Sequence, residues 1–227
     1  MAPLGVIFDM DGVLVDSYAA HFKSWQQAAA RRGLAMTESQ FVETFGRTSY
    51  EVIRTLWGPQ RFTDEQIVAL DDEKEADFRA IIAADFPAMP GVADLLQSLQ
   101  AAGFAIGLGS SAPPENVEAT LDKLGHRSLF SAVVTRADVR RGKPDPQVFL
   151  TAAARMRIPP QRCAVIEDSP LGIEAAHAAG AAGIGLASTG RTRASLAAAD
   201  LVVDHLVELN PERIRDLILA RIRKSDV

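Results

Sequence analysis

The stretch LGVIFDMDGVLVDS, residues 4–17, decides the fold. Its first five residues, 4–8, form a continuous apolar run, which is typical of a strand covered on both faces of a parallel sheet. Asp9 and Asp11 follow at once, and Gly12 then permits a sharp turn of the backbone. If the extended conformation continues through Asp11, the two carboxylates point to the same side. The stretch therefore predicts a buried parallel strand with an acidic pair at its carboxyl end.

Further apolar runs of the same continuous character follow along the chain. They are residues 104–108, 132–135, 163–166 and 183–187, with a shorter run at 201–203. Helical patterns separate the runs and end at Gly103, Gly125 and Gly180, or before a proline pair. These patterns cover residues 92–102, 115–124, 146–156 and 171–179. The alternation predicts an α/β fold with a doubly wound, mostly parallel, Rossmann-like sheet.

Residues 17–86 interrupt this alternation, because they contain no convincing strand pattern. Glycine and proline residues separate helical segments that we predict at 18–32, 38–44, 50–57 and 64–83. We interpret the region as a helical cap domain inserted after the first strand. Residues 1–16 and 87–227 then form the Rossmann-like catalytic core.

The composition of the 227 residues indicates an ordinary globular protein, with 48% apolar and 23% charged residues. Lys plus Arg total 24 against 29 Asp plus Glu, and a net charge of -5 argues against a nucleic-acid partner. The N-terminus has no Lys or Arg before its apolar run is broken, so we expect no signal peptide. The uncharged stretches are too short for a membrane span. We expect a cytoplasmic protein with no nucleic-acid or membrane partner, and we take it to be a monomer.

Polar residues stand at or beyond the ends of three further predicted strands. They are Ser110 and Ser111 after the second strand, Lys143 in the loop after the third, and Glu167 and Asp168 after the fourth. In an open parallel sheet, ligands bind at the carboxyl ends of the strands. We therefore expect these side chains to meet Asp9 and Asp11 at one edge of the sheet.

Carboxylates gathered at one edge point to a metal ion. Up to four of them repel one another strongly in a site of low dielectric constant. A hard divalent cation bound by carboxylate oxygens relieves that repulsion, and Mg²⁺ fits this ligand set best. An EF-hand is excluded because Gly12 falls at the fourth position of the acidic run, whereas that loop needs Gly at the sixth.

The other polar residues suit a phosphate ligand. Lys143 adds positive charge in a turn fixed by Gly142 and Pro144. The Ser110 hydroxyl and neighbouring N–H groups at a helix start bind phosphate readily. The run GLGSSA, residues 107–112, also matches a dinucleotide fingerprint, but a proline pair interrupts the helix start which that motif requires.

Four segments taken jointly resemble the motifs of the haloacid dehalogenase superfamily. They are FDMDGVLVDS (8–17), GSSAP (109–113), GKPDP (142–146) and IEDS (166–169). They occur in order at predicted strand ends and span nearly all of the core. The helical insertion is similar to the cap of the branch that contains β-phosphoglucomutase and phosphoglycolate phosphatase.

The resemblance implies phosphoryl transfer through a covalent intermediate. Asp9 would attack phosphorus in line and form an aspartyl-phosphate. Asp11 would protonate the leaving oxygen and then deprotonate the attacking water. Dehalogenase members are not expected to carry the second Asp, so Asp11 favours phosphate over halide chemistry.

The resemblance also implies the ligands of the metal and of the phosphoryl group. Mg²⁺ would be held by Asp9, the Asp11 backbone carbonyl and Asp168, with Glu167 assisting directly or through water. The phosphoryl oxygens would be held by residues of the second and third motifs. These are Ser110, with Ser111 beside it, and Lys143.

Substrate choice is expected to lie in the cap. His21 resembles a cap-hinge histidine of the β-phosphoglucomutase branch that contacts the acid/base Asp. Arg47 and Thr48 open a later cap helix, and we predict that they contact the substrate. The mutase branch carries a Lys where this sequence has Phe45, a departure that weakens a sugar-phosphate mutase assignment.

We therefore predict a magnesium-dependent phosphatase acting on small phosphate monoesters, either a sugar phosphate or a phosphoglycolate-like acid. The alternative within the same chemistry is a β-phosphoglucomutase-type mutase, which passes the phosphoryl group to a sugar rather than to water. A receiver-type signalling domain shares the acidic pair, the hydroxyl and the Lys. Receiver domains are much shorter, however, and have no cap and no second Asp at that spacing.

Overall fold

The computed structural model describes residues 2–188 and 190–225. The chain divides into two compact units. One comprises Met1–Asp16 and Pro87–Val227 and is called the core below; the other, Ser17–Phe86, is called the cap.

Within the described residues, the core is built on a six-stranded sheet. Its strands are β1 Gly5–Phe8, β2 Ala105–Gly109, β3 Phe130–Val134, β4 Cys163–Glu167, β5 Ala182–Leu186 and β6 Leu201–Val203. They lie in the order β3-β2-β1-β4-β5-β6, and each neighbouring pair is parallel. This is a doubly wound order whose direction reverses between β1 and β4. The predicted α/β fold with a Rossmann-like sheet is confirmed.

The cap contains four helices in its described residues. They are α1 Tyr18–Ala30, α2 Glu38–Thr44, α3 Ser49–Trp57 and α4 Asp64–Ala84. The last three each begin with a reciprocal capping box, in which a threonine accepts from the third helical N–H and a Gln or Glu side chain returns to the threonine N–H. The pairs are Thr37 with Gln40, Thr48 with Glu51, and Thr63 with Gln66. The Thr-x-x-Gln/Glu spacing thus fixes where these helices start.

The cap has a hydrophobic core of its own. Trp25, Phe41, Ile53 and Leu70, contributed by the four helices, are buried in one cluster. Tyr18 meets the Phe41 ring edge-on at 5.0 Å between centroids. Aromatic packing of this kind adds to the stability gained by burying apolar area.

Within residues 2–188 and 190–225, five further α-helices belong to the core. They are α5 Val92–Ala101, α6 Pro114–Leu124, α7 Gln147–Met156, α8 Pro170–Ala178 and α9 Pro211–Ser225. Ile7 of β1 and Val165 of β4 are buried in a cluster with Phe149 of α7. Burial on both faces explains why the strand sequences are continuous rather than alternating.

Two differences from the sequence prediction have an identifiable physical cause. β3 begins at Phe130, two residues before the predicted start, because Ser131 breaks the apolar run while its backbone remains in the strand. Helix α9 was not predicted. It starts where the Asn210 Oδ1 accepts from the Arg213 N–H at 2.9 Å, and the fully buried Ile214 and Ile218 lie one turn apart on it.

In the part of the chain that the structure describes, each helix is too short or too polar to cross a membrane.

Candidate active site

Asp9 lies at the carboxyl end of β1, beside the end of β4. Phe8 pairs with Ile166, and the Asp9 N–H donates to the Ile166 carbonyl at 2.9 Å. This register sets Asp9 level with Glu167, the last residue of β4. Because the order of the sheet reverses between these two strands, their ends border the crevice where doubly wound sheets bind ligands.

Lys143 joins the two carboxylates. Its Nζ lies 2.6 Å from Asp9 Oδ1 and 2.6 Å from Glu167 Oε1. All three side chains are close to fully buried, with 11%, 9% and 1% of their surface exposed in the order Lys143, Asp9, Glu167. The same Nζ lies 5.1 Å from the centre of the Phe149 ring, which adds a cation–π contact. The ammonium is therefore fixed by charge and by packing.

Glu167 is oriented by the start of α8. Its Oε2 accepts from the Ser169 N–H at 2.8 Å and from the Ser169 hydroxyl at 2.9 Å. The Ser169 oxygen in turn caps the helix by accepting from the Gly172 N–H at 3.1 Å. A Cβ on Gly172 would stand 1.9 Å from the Glu167 carboxyl carbon, so only glycine leaves room for this carboxylate.

Asp168 packs on the loop that follows β1. A Cβ on Gly12 would stand 2.4 Å from Asp168 Oδ2, and Gly12 also has φ +74. Asp9, Glu167 and Asp168 each offer an oxygen, and the three oxygens lie within 4.8 Å of one another. Three buried carboxylate oxygens at this spacing suit a hard divalent cation such as Mg²⁺.

The electrostatics of the cluster show an excess of negative charge. Burial raises the pKa of Asp9 to about 7; the Glu167 and Asp11 carboxylates add to the rise, and Lys143 opposes it. Burial also raises the pKa of Asp168, with Glu167 and Asp9 adding to the effect. Burial lowers the pKa of Lys143, but the Asp9 and Glu167 carboxylates outweigh it and hold that pKa above its ordinary value. The lysine stays charged, whereas Asp9 and Asp168 need a further cation to be fully ionised at neutral pH.

Asp11 lies in the turn after β1 and is half-buried. Its backbone forms an isolated bridge with Val15, and its carboxylate is close enough to Asp9 to influence the pKa of Asp9. The group of three carboxylates does not include the Asp11 side chain. The roles expected of Asp11, a backbone carbonyl for the metal and a carboxyl for proton transfer, stay predictions.

Ser110 and Ser111 follow β2, the other neighbour of β1. Phe8 pairs with Leu108, so Ser110 comes one residue beyond the level of Asp9. The Ser110 oxygen accepts from the Ala112 N–H at 3.0 Å, which shapes the turn. Ser110 is buried and Ser111 is exposed.

The loop after β5 contributes two residues that the sequence prediction missed. The Ser188 hydroxyl donates to the Gly12 carbonyl at 2.7 Å. The Arg191 Nε lies 3.9 Å from Asp168 Oδ2. No motif marks these residues, but their position after a buried strand was a signal that they reach the same edge of the sheet.

The cap contains a buried lysine that the sequence prediction also missed. Lys74 Nζ lies 2.9 Å from His21 Nδ1 and 2.8 Å from Glu75 Oε1, and its side chain is 5% exposed. The His21 ring is stacked on Phe78 at 4.1 Å between centroids. The helical periodicity of α4 could have revealed this lysine. Leu70, Lys74 and Phe78 are spaced four residues apart on one face of the helix, and Lys74 is the cation on that apolar face.

Arg47 and Thr48 lie at the start of α3, as predicted. Thr48 is the N-cap, and its hydroxyl donates to Glu51 Oε2 at 2.8 Å. Arg47 is exposed. Contact of these two residues and His21 with a substrate stays a prediction.

Comparison with known proteins shows the family to which the chain belongs. A family model described as haloacid dehalogenase-like hydrolase matches residues 4–180. β-Phosphoglucomutase of Bacillus subtilis (strain 168) is 33% identical over 217 residues, covering 93% of this chain and 93% of that protein. Fructose-1-phosphate phosphatase YqaB of Escherichia coli (strain K12) is 33% identical over 177 residues, covering 78% and 92%. The crystal structure of β-phosphoglucomutase from Clostridium difficile superimposes with a TM-score of 0.85 at 26% identity, covering 97% and 99%.

Proposed function

We propose a substrate class and a mechanism for this chain, which belongs to the haloacid dehalogenase-like hydrolase family and is a phosphohydrolase. It hydrolyses small phosphate monoesters of the sugar-phosphate class in a Mg²⁺-dependent reaction. The observation that supports this most directly is the position of Lys143 between Asp9 and Glu167, at 2.6 Å from each. Such a buried cation, beside carboxylates at the reversal point of the sheet, suits a phosphoryl group and its metal.

Asp9 is the nucleophile of the proposed reaction. Its carboxylate attacks phosphorus, a new O–P bond forms to Asp9, and the ester P–O bond breaks. Lys143 touches Asp9 Oδ1 directly, so the same ammonium is positioned to offset charge on the phosphoryl oxygens as the bond forms. Ser110, one residue beyond the level of Asp9 on the neighbouring strand, supplies a hydroxyl to another of those oxygens.

Asp11 moves the protons. In the first step its carboxylic acid gives a proton to the leaving alcohol oxygen. In the second step its carboxylate takes a proton from the water that attacks the aspartyl-phosphate, which frees Asp9 and releases orthophosphate. Its position in the half-buried turn two residues after Asp9 is compatible with this exchange.

The carboxylates of the core fit Mg²⁺. Asp9, Glu167 and Asp168 outnumber the ammonium group of Lys143 that contacts two of them, and their oxygens are within 4.8 Å of one another. Asp9 and Asp168 would hold the ion with the Asp11 carbonyl, and Glu167 would act directly or through water. When bound, Mg²⁺ supplies positive charge to the phosphoryl oxygens and lowers the pKa values of the carboxyls that hold it.

The proposed substrate class rests on the relatives and on the cap. A fructose-1-phosphate phosphatase and a β-phosphoglucomutase, both named for sugar phosphates, are each 33% identical to this chain. We propose that His21, Arg47 and Thr48 of the cap contact the substrate, and that Arg47 supplies the positive charge. The chain is proposed to act as a monomer.

A mutase is the second candidate. The observation in its favour is that the Bacillus subtilis β-phosphoglucomutase matches 93% of this chain. Phe45 stands where the mutase branch has a Lys, and for this reason the phosphatase is preferred.

The test is Mg²⁺-dependent phosphate release from a panel of sugar phosphates and small phosphorylated acids. Asp9→Asn keeps the size of the side chain but removes the nucleophile, so phosphate release should fall below detection. Full activity of Asp9→Asn would sink the mechanism. The mutase alternative predicts interconversion of glucose 1- and 6-phosphates with little free phosphate, and it fails if phosphate accumulates.

A further inference from the structure

Lys143 lies outside any helix or strand, in the loop between β3 and α7. Yet its ammonium stands 2.6 Å from both Asp9 and Glu167, which are fixed at strand ends. A loop is normally the most mobile part of a fold, so some contact must hold this one in register with the sheet.

The first residue of α7 makes that contact. The Gln147 Oε1 accepts from the Arg140 N–H at 2.8 Å and from the Arg141 N–H at 3.2 Å. The Gln147 N–H donates to Asp145 Oδ1 at 3.0 Å, and the Asp145 N–H donates to the Gly142 carbonyl at 3.0 Å. These bonds fasten the loop on both sides of Lys143.

The other end of α7 holds the start of the same segment. Arg155, in the last turn, forms an ion pair with Asp138, whose carboxylate also accepts from the Thr135 N–H at 2.8 Å. Those contacts lie five residues or more before Lys143 in the chain. Gln147 contacts the chain closer to Lys143, because the two N–H groups that donate to it belong to Arg140 and Arg141, three and two positions before the lysine.

We infer that Gln147 is a positioning residue for Lys143, holding the loop so that the ammonium falls between Asp9 and Glu167. Phe149, two residues further along α7, lies 5.1 Å from the ammonium, so the helix start contacts both the backbone just before the lysine and the tip of its side chain. The inference rests on the proposed function, in which Lys143 binds the phosphoryl group. A small displacement of such a group is enough to weaken both binding and turnover.

Two substitutions of Gln147 test whether its side-chain oxygen is needed to position Lys143. Gln147→Met keeps the length of the side chain and its helix propensity but removes the oxygen, whereas Gln147→Glu keeps an oxygen acceptor. In Gln147→Met we expect KM for a phosphate monoester and the inhibition constant of orthophosphate each to rise about tenfold, the size of effect that follows from losing about one well-placed hydrogen bond. The loss in kcat should be smaller. Gln147→Glu should recover most of the loss.

The control is Gln97→Met, on the exposed face of α5 in the same unit. It should leave KM and the orthophosphate inhibition constant unchanged. A second check uses a double-mutant cycle: in a Lys143→Met background, Gln147→Met should add nothing to the loss of protection that orthophosphate gives against heat.

The outcomes separate this inference from the proposed function. If the wild type releases no phosphate from any ester, the proposed function fails. If the wild type is active and Gln147→Met has the same KM and orthophosphate inhibition, only the role of Gln147 is refuted. A fall in Tm without a change in either constant would also refute it, because the residue would then be merely structural. Should Gln147→Met fail to fold, Gln147→Asn, which withdraws the amide by one carbon, replaces it and must show the same rise.

Discussion

Among the residues whose burial the structure describes, the core and the cap each bury one lysine beside an aromatic ring, and the partners of the two lysines differ. In the core, Lys143 contacts two carboxylates, Asp9 and Glu167, with Asp168 close to both of these acids. In the cap, Lys74 contacts one carboxylate, Glu75, and the imidazole of His21.

The local structure around the two lysines differs as well. Lys143 is in a loop, and strands β1 and β4 bring its partners to it from 134 and 24 residues away. Lys74 is in the middle of α4, next to Glu75 and within 5.7 Å of the Trp25 ring centre. The core therefore assembles a strongly anionic site at the ends of several strands. The cap instead places a nearly balanced polar cluster in its apolar interior.

This difference teaches which part of the chain is built for which task. A buried excess of negative charge is costly unless a further cation binds, so the core has a reason to take up a metal. A balanced cluster needs no such ion, and substrate selection stays the role that we propose for the cap. The same substitution, Lys to Met, tests the contrast because it removes each ammonium while keeping most of the volume.

The largest effect is expected from Lys143→Met. Without the ammonium, the Asp9 and Glu167 carboxylates repel each other and the phosphoryl oxygens lose their positive partner. We expect kcat/KM for a phosphate monoester to fall by about 10³-fold, the magnitude found when one electrostatic donor of a transition state is removed. Lys123→Met, on the exposed side of α6, is the matched control and should retain full activity. An active Lys143→Met would remove the core lysine from the proposed mechanism.

The next expected effect concerns pH and Mg²⁺. The pKa of Asp9 is raised to about 7 in the folded protein, so the folded state binds more protons than the unfolded state between about pH 4 and pH 7. The Tm of the metal-free protein should therefore fall as pH rises through this interval. Mg²⁺ needs ionised carboxyls, so the Tm increment that it gives should grow as pH rises to 7 and above.

Differential scanning fluorimetry at several pH values, with Mg²⁺ and with a chelator, measures both trends. Asp9→Asn removes one of the two carboxyls whose pKa is raised and should make the fall in Tm less steep. A Tm increment from Mg²⁺ that is equal at pH 5 and pH 8 would contradict the idea that these carboxylates hold the ion.

Much of this core site was predictable from local sequence. Continuous apolar runs mark strands buried on both faces, and in a parallel sheet polar residues at their carboxyl ends must share an edge. Asp9, Lys143, Glu167 and Asp168 were found in this way. Their contacts were not predictable, because they depend on β4 lying next to β1, a pairing of residues 158 positions apart that no local pattern encodes.

Other features escaped for identifiable physical reasons. The register of β3 depends on backbone pairing with β2, so the polar Ser131 obscured its first residues. Helix α9 is rich in charged residues, so it shows little apolar pattern. Its only sequence signals are Asn210, Pro211 and the Ile214–Ile218 spacing. Lys74 was visible as a cation within an apolar helical stripe. Its partner in α1, His21, is 53 residues away in the chain, and only the packing of α1 on α4 brings the two side chains together.

Lys74→Met tests the cap side of the comparison. The substitution removes the ammonium from buried Glu75 and from His21, and breaking a buried pair by deleting one partner is destabilising. We expect the free energy of unfolding to fall by about 3 kcal/mol. The measurement is urea denaturation, with Lys23→Met on the exposed face of α1 as the control.

The double variant Lys74→Met with Glu75→Gln sharpens the result. It neutralises the carboxylate as well, so part of the lost stability should return. Mg²⁺ should stabilise Lys74→Met as much as it stabilises the wild type, since the proposed metal site lies in the core. An increment from Mg²⁺ that disappears in Lys74→Met would break the division of tasks between the two units.

The smallest expected effect belongs to Arg47, which is exposed at the start of α3 and contributes little to the packing of the cap. Arg47→Ala should leave the Tm within about 1 °C of the wild type, since exposed substitutions away from caps and cores change stability little. If Arg47 contacts the non-reacting part of the substrate, KM for the preferred sugar phosphate should rise by about tenfold, roughly the value of one charge-assisted hydrogen bond. KM for an aryl phosphate, which lacks the sugar, should change much less.

The matched control is Arg61→Ala, another exposed arginine of the cap, which should alter neither KM. Equal changes with both substrates would show that Arg47 acts on the phosphate that they share. Arg47 would then belong with the residues that bind the phosphoryl group, and the proposal that it selects the sugar would be wrong.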